Sequence, residues 1–192
     1  MRLLLIHANK FKYEVTGKTS ISDKSKELSE EDSKKEIGES LVAFVSVEEQ
    51  DGENIDGVAL DAANSILEQA KKVDAPSIMV YPYAHLSSSL AAPRVSQKVI
   101  DLVIVNLKQS TLTIYNSVFG YYKSFSIECK GHPLSELAKT INPLKKKEEI
   151  SSALKAEKET KSQWMILDDN QMIKVGDYKF NEGSNLDKFF KY

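Results

Sequence analysis

The first candidate for chemistry is a lysine on an apolar strand face. The segment 121–129 alternates as a strand does, so every second side chain shares a face. One face carries five residues: Tyr121, Lys123, Phe125, Ile127 and Cys129. An ammonium among four side chains that favour burial must lose water unless an acceptor or a bound ligand compensates. Lys123 is therefore a candidate site residue.

A histidine and a glutamate are the other candidates. His85 follows a predicted strand over 77–83, at the kind of strand end where α/β proteins bind ligands. A histidine that only hydrogen-bonds its own loop explains that position equally well. Glu136 is predicted in the first turn of a helix beginning at Pro133, where the helix dipole favours a carboxylate. Its functional interpretation is a partner for Lys123 or for a substrate amine.

The remaining reactive groups give weaker signals. Cys129 could be a nucleophile only if a base lowered the pKa of its thiol, and its apolar strand face favours a buried packing role. The three histidines lack the paired spacing of zinc sites, so no metal site is predicted. The sequence carries no P-loop, dinucleotide fingerprint or nucleophile elbow, and no cofactor is predicted.

The elements that must position these residues alternate between strands and helices. Short apolar runs predict strands over 3–6, 41–48, 77–83, 112–115 and 121–129. A helical stripe of apolar residues over 55–73 predicts an amphipathic helix, and Pro93 stands at the first position of a second helix. Together these patterns predict an α/β (α+β) layer in which helices pack on a sheet.

Two segments are predicted to stand apart from this layer. Residues 18–39 are rich in Ser, Lys, Asp and Glu and predict a flexible connection that could carry one helical turn. The composition shifts after Ile141, which divides the chain into a domain over 1–143 and an extension over 144–192. The extension is predicted to hold a charged helix over 145–161, a hairpin around residues 168–170, and the start of a further amphipathic segment from Asn185.

Charge and composition narrow the functional classes. The formal net charge is -2, which argues against a general RNA coat but permits a pocket that holds one end of an RNA. One cysteine excludes an internal disulfide framework and fits a reducing cytosol. The apolar start is too short for a signal sequence or a membrane span. We therefore expect a cytoplasmic protein without a membrane partner.

Four sequence blocks carry a family resemblance. They are residues 2–7 (Arg-Leu-Leu-Leu-Ile-His), 41–48 (Leu-Val-Ala-Phe-Val-Ser-Val-Glu), 81–88 (Tyr-Pro-Tyr-Ala-His-Leu-Ser-Ser) and 119–137, which runs from Phe-Gly-Tyr-Tyr-Lys to Cys-Lys-Gly-His-Pro-Leu-Ser-Glu-Leu. In this order they resemble the N-terminal editing domain of archaeal threonyl-tRNA synthetases. The resemblance is close over 1–141 and looser through Trp164, where the chain looks like the linker of the full synthetase.

The resemblance implies a fold, an activity and partners. It implies the D-aminoacyl-tRNA deacylase-like fold, a homodimer, and hydrolytic removal of L-serine from the 3′ end of threonine tRNA, with some tolerance for D-amino acids. The catalytic domain of threonyl-tRNA synthetase would be a partner in cis or in trans. The 2′-hydroxyl of the terminal adenosine would take part in the chemistry.

The resemblance also implies a set of site residues. Lys123 would hold the substrate and the attacking water, and His85 and Glu136 would line the aminoacyl pocket. Val47 and Ala84 would act mainly through backbone groups. The full set is Val47, Ala84, His85, Phe119, Tyr122, Lys123 and Glu136.

Two departures from the family pattern stand near these blocks. Ala8-Asn9 replaces Ser-Asp after the first histidine, which removes a carboxylate. Ser117-Val118 replaces Ala-Pro before Phe119, which is expected to loosen the approach to the Lys123 strand.

The chemistry of an aminoacyl ester agrees with a lysine site. The ester is already activated, so hydrolysis needs a placed water and charge stabilisation at the oxyanion, without a covalent nucleophile. Binding alone discriminates one methyl by only about 1–3 kcal/mol, so we expect rejection of threonine to act partly through the position of the water. Two alternatives stay open: a deacylase whose principal substrate is D-aminoacyl-tRNA, and a non-catalytic tRNA-binding module.

Overall fold

The computed structural model describes residues 1–22, 27–143, 165–168, 171–174 and 178–179. The chain forms two compact units, Met1–Lys145 and Lys146–Tyr192, where the sequence predicts a boundary after residue 143. In the second unit, the antiparallel strands Met165–Asp168 and Gln171–Lys174 pair Asp168 with Gln171, as the predicted hairpin requires. The predicted helix over 145–161 and the segment from Asn185 lie outside the described residues.

The first unit is a mixed sheet with helices on one face. Its described strands are β1 (Arg2–Lys18), β2 (Lys34–Ile37), β3 (Ser40–Ser46), β4 (Ser77–Pro82), β5 (Thr113–Asn116), β6 (Tyr121–Cys129) and β7 (Glu136–Thr140). Its described helices are α1 (Glu30–Ser33), α2 (Ile55–Lys72) and α3 (Pro93–Leu107). The sheet order is β2-β1-β3-β4-β5, and β6 and β7 also pair with β1. β3, β4 and β5 are parallel, whereas β1 is antiparallel to all its partners.

The central strand β3 is buried along its whole length because both faces of the sheet are covered. Side chains such as Leu41, Ala43 and Val45 face the core shared with α2 and α3. The alternate residues Val42 and Phe44 belong to a second core on the opposite face. The buried positions of α2 recur at helical spacing, as its apolar stripe predicts: Val58, Ala59, Ala62, Ala63, Ile66 and Ala70.

The second core is built around aromatic rings. The Phe125 ring on β6 lies 5.4 Å from the Phe44 ring on β3 and 5.6 Å from the Tyr81 ring on β4, measured between centroids. Because β6 pairs with β1 and not with β3 or β4, these contacts require the sheet to curl over the cluster. Each such ring pair contributes about 0.5–1.5 kcal/mol beyond its buried area. The aromatic cluster thus holds β6 over the end of β4.

A buried ionic network holds the first residue and the segment after β3. The Met1 ammonium donates to Asp51 Oδ1 at 2.7 Å and lies 3.3 Å from Glu48 Oε2. Glu48 also accepts hydrogen bonds from Ser87 Oγ at 2.7 Å and Arg2 Nε at 3.0 Å. Burial alone would raise the pKa of Glu48, but the bonds from Ser87 and Arg2 and the charge of the amino terminus outweigh it and lower the pKa to about 2. Glu48 thereby anchors the loop that follows β4.

Two secondary-structure predictions are wrong. The segment 18–39, predicted as a loop that could carry one helical turn, does contain a single-turn helix, α1, but it also contains the end of β1 and the strand β2. β2 is polar because it pairs only with β1, and Ile37 alone is buried in it. The helix predicted at Pro133 is absent from this described segment. Glu136–Thr140 instead forms β7 along the first half of β1, where the backbone groups of β1 need partners.

Candidate functional site

A cavity of about 380 Å³ lies where β3 and β4 end and the chain leaves the sheet. The structure brings six of the seven predicted site residues to its wall: Val47, Ala84, His85, Phe119, Tyr122 and Lys123. They come from three separate segments of the chain, and the strand ends and loops of the sheet bring these segments together. Their catalytic and binding roles remain predictions.

The Lys123 ammonium is held over an aromatic floor. Its Nζ lies 4.5 Å from the centroid of the buried Tyr81 ring, which is a cation–π distance. Nζ also donates to the Val118 carbonyl oxygen at 2.6 Å and to Ser117 Oγ at 3.2 Å. Burial lowers the pKa of Lys123 to about 8 because the charged form loses hydration. The ammonium therefore stays charged at neutral pH, although its contacts only partly replace the hydration that it has lost.

The start of β6 fixes where Lys123 enters the cavity. Gly120 has a φ of +80°, in the left-handed region that favours glycine, and its carbonyl accepts a hydrogen bond from Thr19 Oγ1 at 2.6 Å. The register between β1 and β6 shifts between Val15, opposite Lys123, and Gly17, opposite Tyr122. Such irregularities re-aim side chains at the edges of sites.

Ser117 is a contact of the Lys123 ammonium that the sequence interpretation missed. It is 4% exposed, and its backbone N–H donates to the Val80 carbonyl at 3.0 Å. Its hydroxyl supplies an acceptor to Lys123 that an alanine would lack. The signal that could have found it is a serine six residues before the lysine, in a segment already expected to lead into the strand.

His85 stands in the exposed part of the cavity wall. It lies in a short 3₁₀ turn, Ala84–Leu86, which is anchored by the hydrogen bond from the Tyr83 N–H to the Val45 carbonyl at 2.8 Å. Its ring meets the Tyr83 ring edge-on, with centroids 5.3 Å apart. Because the imidazole is exposed, it is accessible to a ligand that enters from solvent.

Glu136 does not reach this cavity within one subunit. It pairs with Ile6 on β1, whereas Lys123 pairs with Val15, nine residues further along the strand. At about 3.3 Å per residue this separation is roughly 30 Å in an extended strand. The contact recorded for the Glu136 carboxylate is a weak hydrogen bond from Cys129 Sγ at 3.5 Å. The predicted pairing of Glu136 with Lys123 is therefore wrong for a single chain.

The other two histidines form a structural relay away from the cavity. The Leu134 N–H donates to His132 Nδ1 at 3.2 Å, which leaves the proton on His132 Nε2 to donate to His7 Nδ1 at 2.9 Å. His7 Nε2 then donates to Glu39 Oε1 at 3.2 Å. Burial lowers the pKa of His7, and the charge of Lys130 acts in the same direction. This relay ties β1 to the β6–β7 connection.

The described residues carry no cluster of side chains suited to a metal ion. No set of three or more His, Cys, Asp or Glu side chains there could hold a metal ion. Asn9, at the other departure from the family pattern, donates to Glu128 on the exposed surface at 3.1 Å and lies outside the cavity. No helix in the described segments is long and apolar enough to cross a membrane.

Replacing Ser117 with alanine tests its contact with the lysine. Ser117→Ala removes an acceptor from a desolvated ammonium, so the pKa of Lys123 should fall below about 8, by roughly one pH unit if a charge-assisted bond of about 1.5 kcal/mol is lost. An NMR titration of the lysine side chain measures this directly. Ser126→Ala, on the exposed face of β6, is the matched control and should leave that pKa unchanged. An unaltered pKa in Ser117→Ala would show that the hydroxyl does not stabilise the charge.

Sequence comparison matches one protein family over most of the chain. The model of the archaea-specific editing domain of threonyl-tRNA synthetase matches residues 1–141. Relatives that align over 100% of the chain include the threonine–tRNA ligases of Pyrococcus furiosus, at 45% identity, and Pyrococcus horikoshii, at 43%. A threonine–tRNA ligase of Methanothrix thermoacetophila is 39% identical. The chain covers 31% of the length of the Pyrococcus relatives.

Structural comparison supports the fold. The c-Myc DNA Unwinding Element Binding Protein matches 73% of this chain and 98% of its own, with a TM-score of 0.51 and 11% sequence identity. At that identity the likeness concerns the fold alone. It agrees with the predicted α/β sheet with packed helices, of the D-aminoacyl-tRNA deacylase-like class. The family model matches residues 1–141, and the relatives named above are up to 45% identical to this chain. The chain therefore belongs to the archaea-specific editing-domain family of threonyl-tRNA synthetase.

Proposed function

We propose that the chain removes L-serine from mischarged threonine tRNA by hydrolysing the ester in the Lys123 cavity. The observation that supports this most directly is the state of Lys123, a cation largely stripped of water and held on the Tyr81 ring beside open space. A protein gains little stability from a lysine so placed, because its desolvation opposes folding. The same position gives the ammonium a strong interaction with negative charge that develops in a substrate.

The cavity has a suitable size and lining for one aminoacyl group at the end of an RNA. Its volume of about 380 Å³ is at the lower end of the range of about 300–1,000 Å³ for small-ligand pockets. Its wall is largely apolar, with the Lys123 ammonium and the His85 imidazole among the few polar groups. The terminal adenosine and a short hydroxylated side chain are the portion of the substrate expected to enter.

Lys123 can stabilise the oxyanion without leaving its present contacts. An ammonium has three N–H donors, and two of them bond to Val118 and Ser117. The third can reach the carbonyl oxygen of the ester as that oxygen gains charge. Water adds to the carbonyl carbon, the bond to the ribose oxygen breaks, and the proton lost by the water is taken up by that oxygen. The products are L-serine and tRNA with a free terminal ribose.

The water and the ribose supply what the side chains do not. The 2′-hydroxyl of the terminal adenosine is proposed to help orient or deprotonate the water, as the family resemblance implies. Val47 and Ala84 line the cavity, and their backbone groups are proposed to hold the water. Threonine, with one more methyl group, would displace this water, which adds to the limited discrimination of about 1–3 kcal/mol available from binding.

Replacing the lysine with methionine tests the assignment. Lys123→Met should lower the rate of serine release from seryl-tRNA(Thr) by about 10²–10³-fold, the usual cost of losing an oxyanion donor. The free energy of unfolding of the variant should not fall, because the substitution removes a desolvated cation from the aromatic floor formed by Tyr81. Lys12→Met, an exposed lysine on β1, is the control. Deacylation and urea unfolding are measured on the same preparations.

The substrates in that assay separate the alternatives. Seryl-tRNA(Thr) should be hydrolysed and threonyl-tRNA(Thr) spared. A faster reaction with D-aminoacyl-tRNA would assign the chain to chirality proofreading. Tight binding of the RNA end without turnover would assign it to the non-catalytic class, and an unimpaired Lys123→Met variant would contradict the lysine mechanism.

The pH profile tests the protonation state of Lys123. The proposed role requires the ammonium, whose pKa is about 8, so kcat for enzymatic serine release should decline as pH rises through 8. The spontaneous hydrolysis of the ester is subtracted with a parallel Lys123→Met reaction. A rate that instead increases with the deprotonated fraction would make Lys123 a general base.

We also propose that the chain acts as a homodimer and with the catalytic domain of threonyl-tRNA synthetase, in cis or in trans. A catalytic role for Glu136 would require a second copy to bring its carboxylate to the Lys123 cavity. Light scattering should give about twice the chain mass of 21.5 kDa. In a dimer of that kind, mixing Glu136→Gln with Lys123→Met subunits should restore part of the activity that each lacks alone, and a monomeric mass would rule this arrangement out.

A further inference from the structure

A groove on the outer face of α3 continues the Lys123 cavity. We call it the α3 groove, with a volume of about 500 Å³ between the exposed residues of α3 and the loops that carry Ile21 and Phe119. It shares three lining residues with the cavity, namely Ile21, Pro93 and Phe119. A chain that leaves the cavity along this side therefore passes directly onto α3.

The end of the α3 groove nearest the cavity is positively charged. Arg94 and Lys98 are exposed and lie one turn apart, about 6 Å along the helix axis. Neither forms an ion pair with any described residue. The N-terminus of α3, the positive end of its dipole, lies at this end of the groove, and Ala92, which precedes the helix, offers no side-chain cap. The groove favours an anionic occupant at this end.

The acidic group of the groove lies further from the cavity. Asp101 follows Lys98 by three residues and accepts a hydrogen bond from Gln97 Nε2 at 2.8 Å. The formal charge thus runs from two cations near the cavity to one carboxylate a turn beyond. Since the whole chain has a formal net charge of -2, these cations form a local feature and not part of a general basic surface.

Apolar side chains also line the α3 groove. Ile21 is 47% exposed and Val105 is 56% exposed, and Phe119 is half-buried between the cavity and the α3 groove. Cations in line with apolar and aromatic contacts are how proteins bind single-stranded nucleic acid, since phosphates meet the charges and bases cover the apolar groups.

We propose that the α3 groove binds the single-stranded RNA nucleotides that precede the terminal adenosine of the substrate. The assignment rests on the proposed deacylation in the neighbouring cavity, because it is the ester in that cavity that fixes the direction of the RNA. The phosphate of the terminal adenosine meets Arg94 and the N-terminus of α3, and the preceding phosphate meets Lys98. The bases of these nucleotides contact Ile21 and Phe119.

The test separates binding in the α3 groove from chemistry in the cavity. Arg94→Ala/Lys98→Ala is compared with Lys71→Ala/Lys72→Ala, which removes two exposed lysines from α2 outside the groove. A short single-stranded RNA ending in CCA is the binding probe. The groove variant should bind it about tenfold more weakly at low salt, and the slope of log K against log[salt] should fall by about 1.4, or about 0.7 for each lost phosphate contact. The α2 variant should behave as the unmodified chain.

Two substrates complete the experiment. For seryl-tRNA(Thr) the groove variant should show a KM raised about tenfold at an unchanged kcat. Seryl-adenosine, which ends inside the cavity, should be hydrolysed within about twofold of the unmodified chain. Equal losses on both substrates, or unaltered RNA binding and salt slope, would overturn the groove assignment while leaving the deacylase proposal intact. Loss of binding to an acidic peptide with RNA binding unchanged would assign the groove to a protein partner and overturn it as well.

If the unmodified chain hydrolyses neither substrate, the deacylase proposal fails by itself. The RNA-binding comparison then still decides the α3 groove, because it needs no turnover. A tenfold difference between the groove and α2 variants would support an RNA site, and equal binding by the two would overturn it.

Discussion

The site depends on one constraint, which is that the Lys123 ammonium must be kept charged where little water can reach it. Three groups compensate it: the Tyr81 ring, the Val118 carbonyl and the Ser117 hydroxyl. Two of them are in turn fixed by the curled sheet. Tyr81 belongs to the aromatic cluster that joins β4 to β6, and the Ser117 N–H is bonded to the end of β4. The curl of the sheet and the polarity of the cavity are therefore parts of the same arrangement.

The long strand β1 makes that curl possible. Its first half pairs with β3 and β7, and its second half pairs with β2 and β6, so a single strand of 17 residues supports both parts of the sheet. The relay of His7 and His132 and the ionic network of Met1, Asp51 and Glu48 hold the first half in place. Neither cluster lines the cavity, and both position the strands and loops that do.

The sequence predicts the parts of this structure that have a regular pattern. The α2 stripe and the alternation of β6 repeat with the period of their element, and β3 is a continuous apolar run of strand length. These patterns are the reason that the three elements, and the place of Lys123 on an apolar strand face, are predicted. β2 and β7 are missed because they are short and largely polar, and their pairing with β1 depends on contacts distant in sequence. Glu136 is misplaced for the same reason. The Pro133 segment has the local features of a helix start, but the backbone of β1 pairs with it as a strand. Ser117 is missed because a hydrogen bond between a loop serine and a strand lysine leaves no periodic pattern in the sequence.

The two oxygen acceptors on Lys123 have a further consequence. An amine with a depressed pKa is a better nucleophile at neutral pH than an ordinary lysine, and an activated ester held next to it would transfer its acyl group to nitrogen and form a stable amide. The Val118 carbonyl can only accept, and the Ser117 hydroxyl accepts from the ammonium in this structure, so both contacts favour the protonated form, which has no lone pair with which to attack. The same contacts that orient the cation thus guard the side chain against permanent self-acylation.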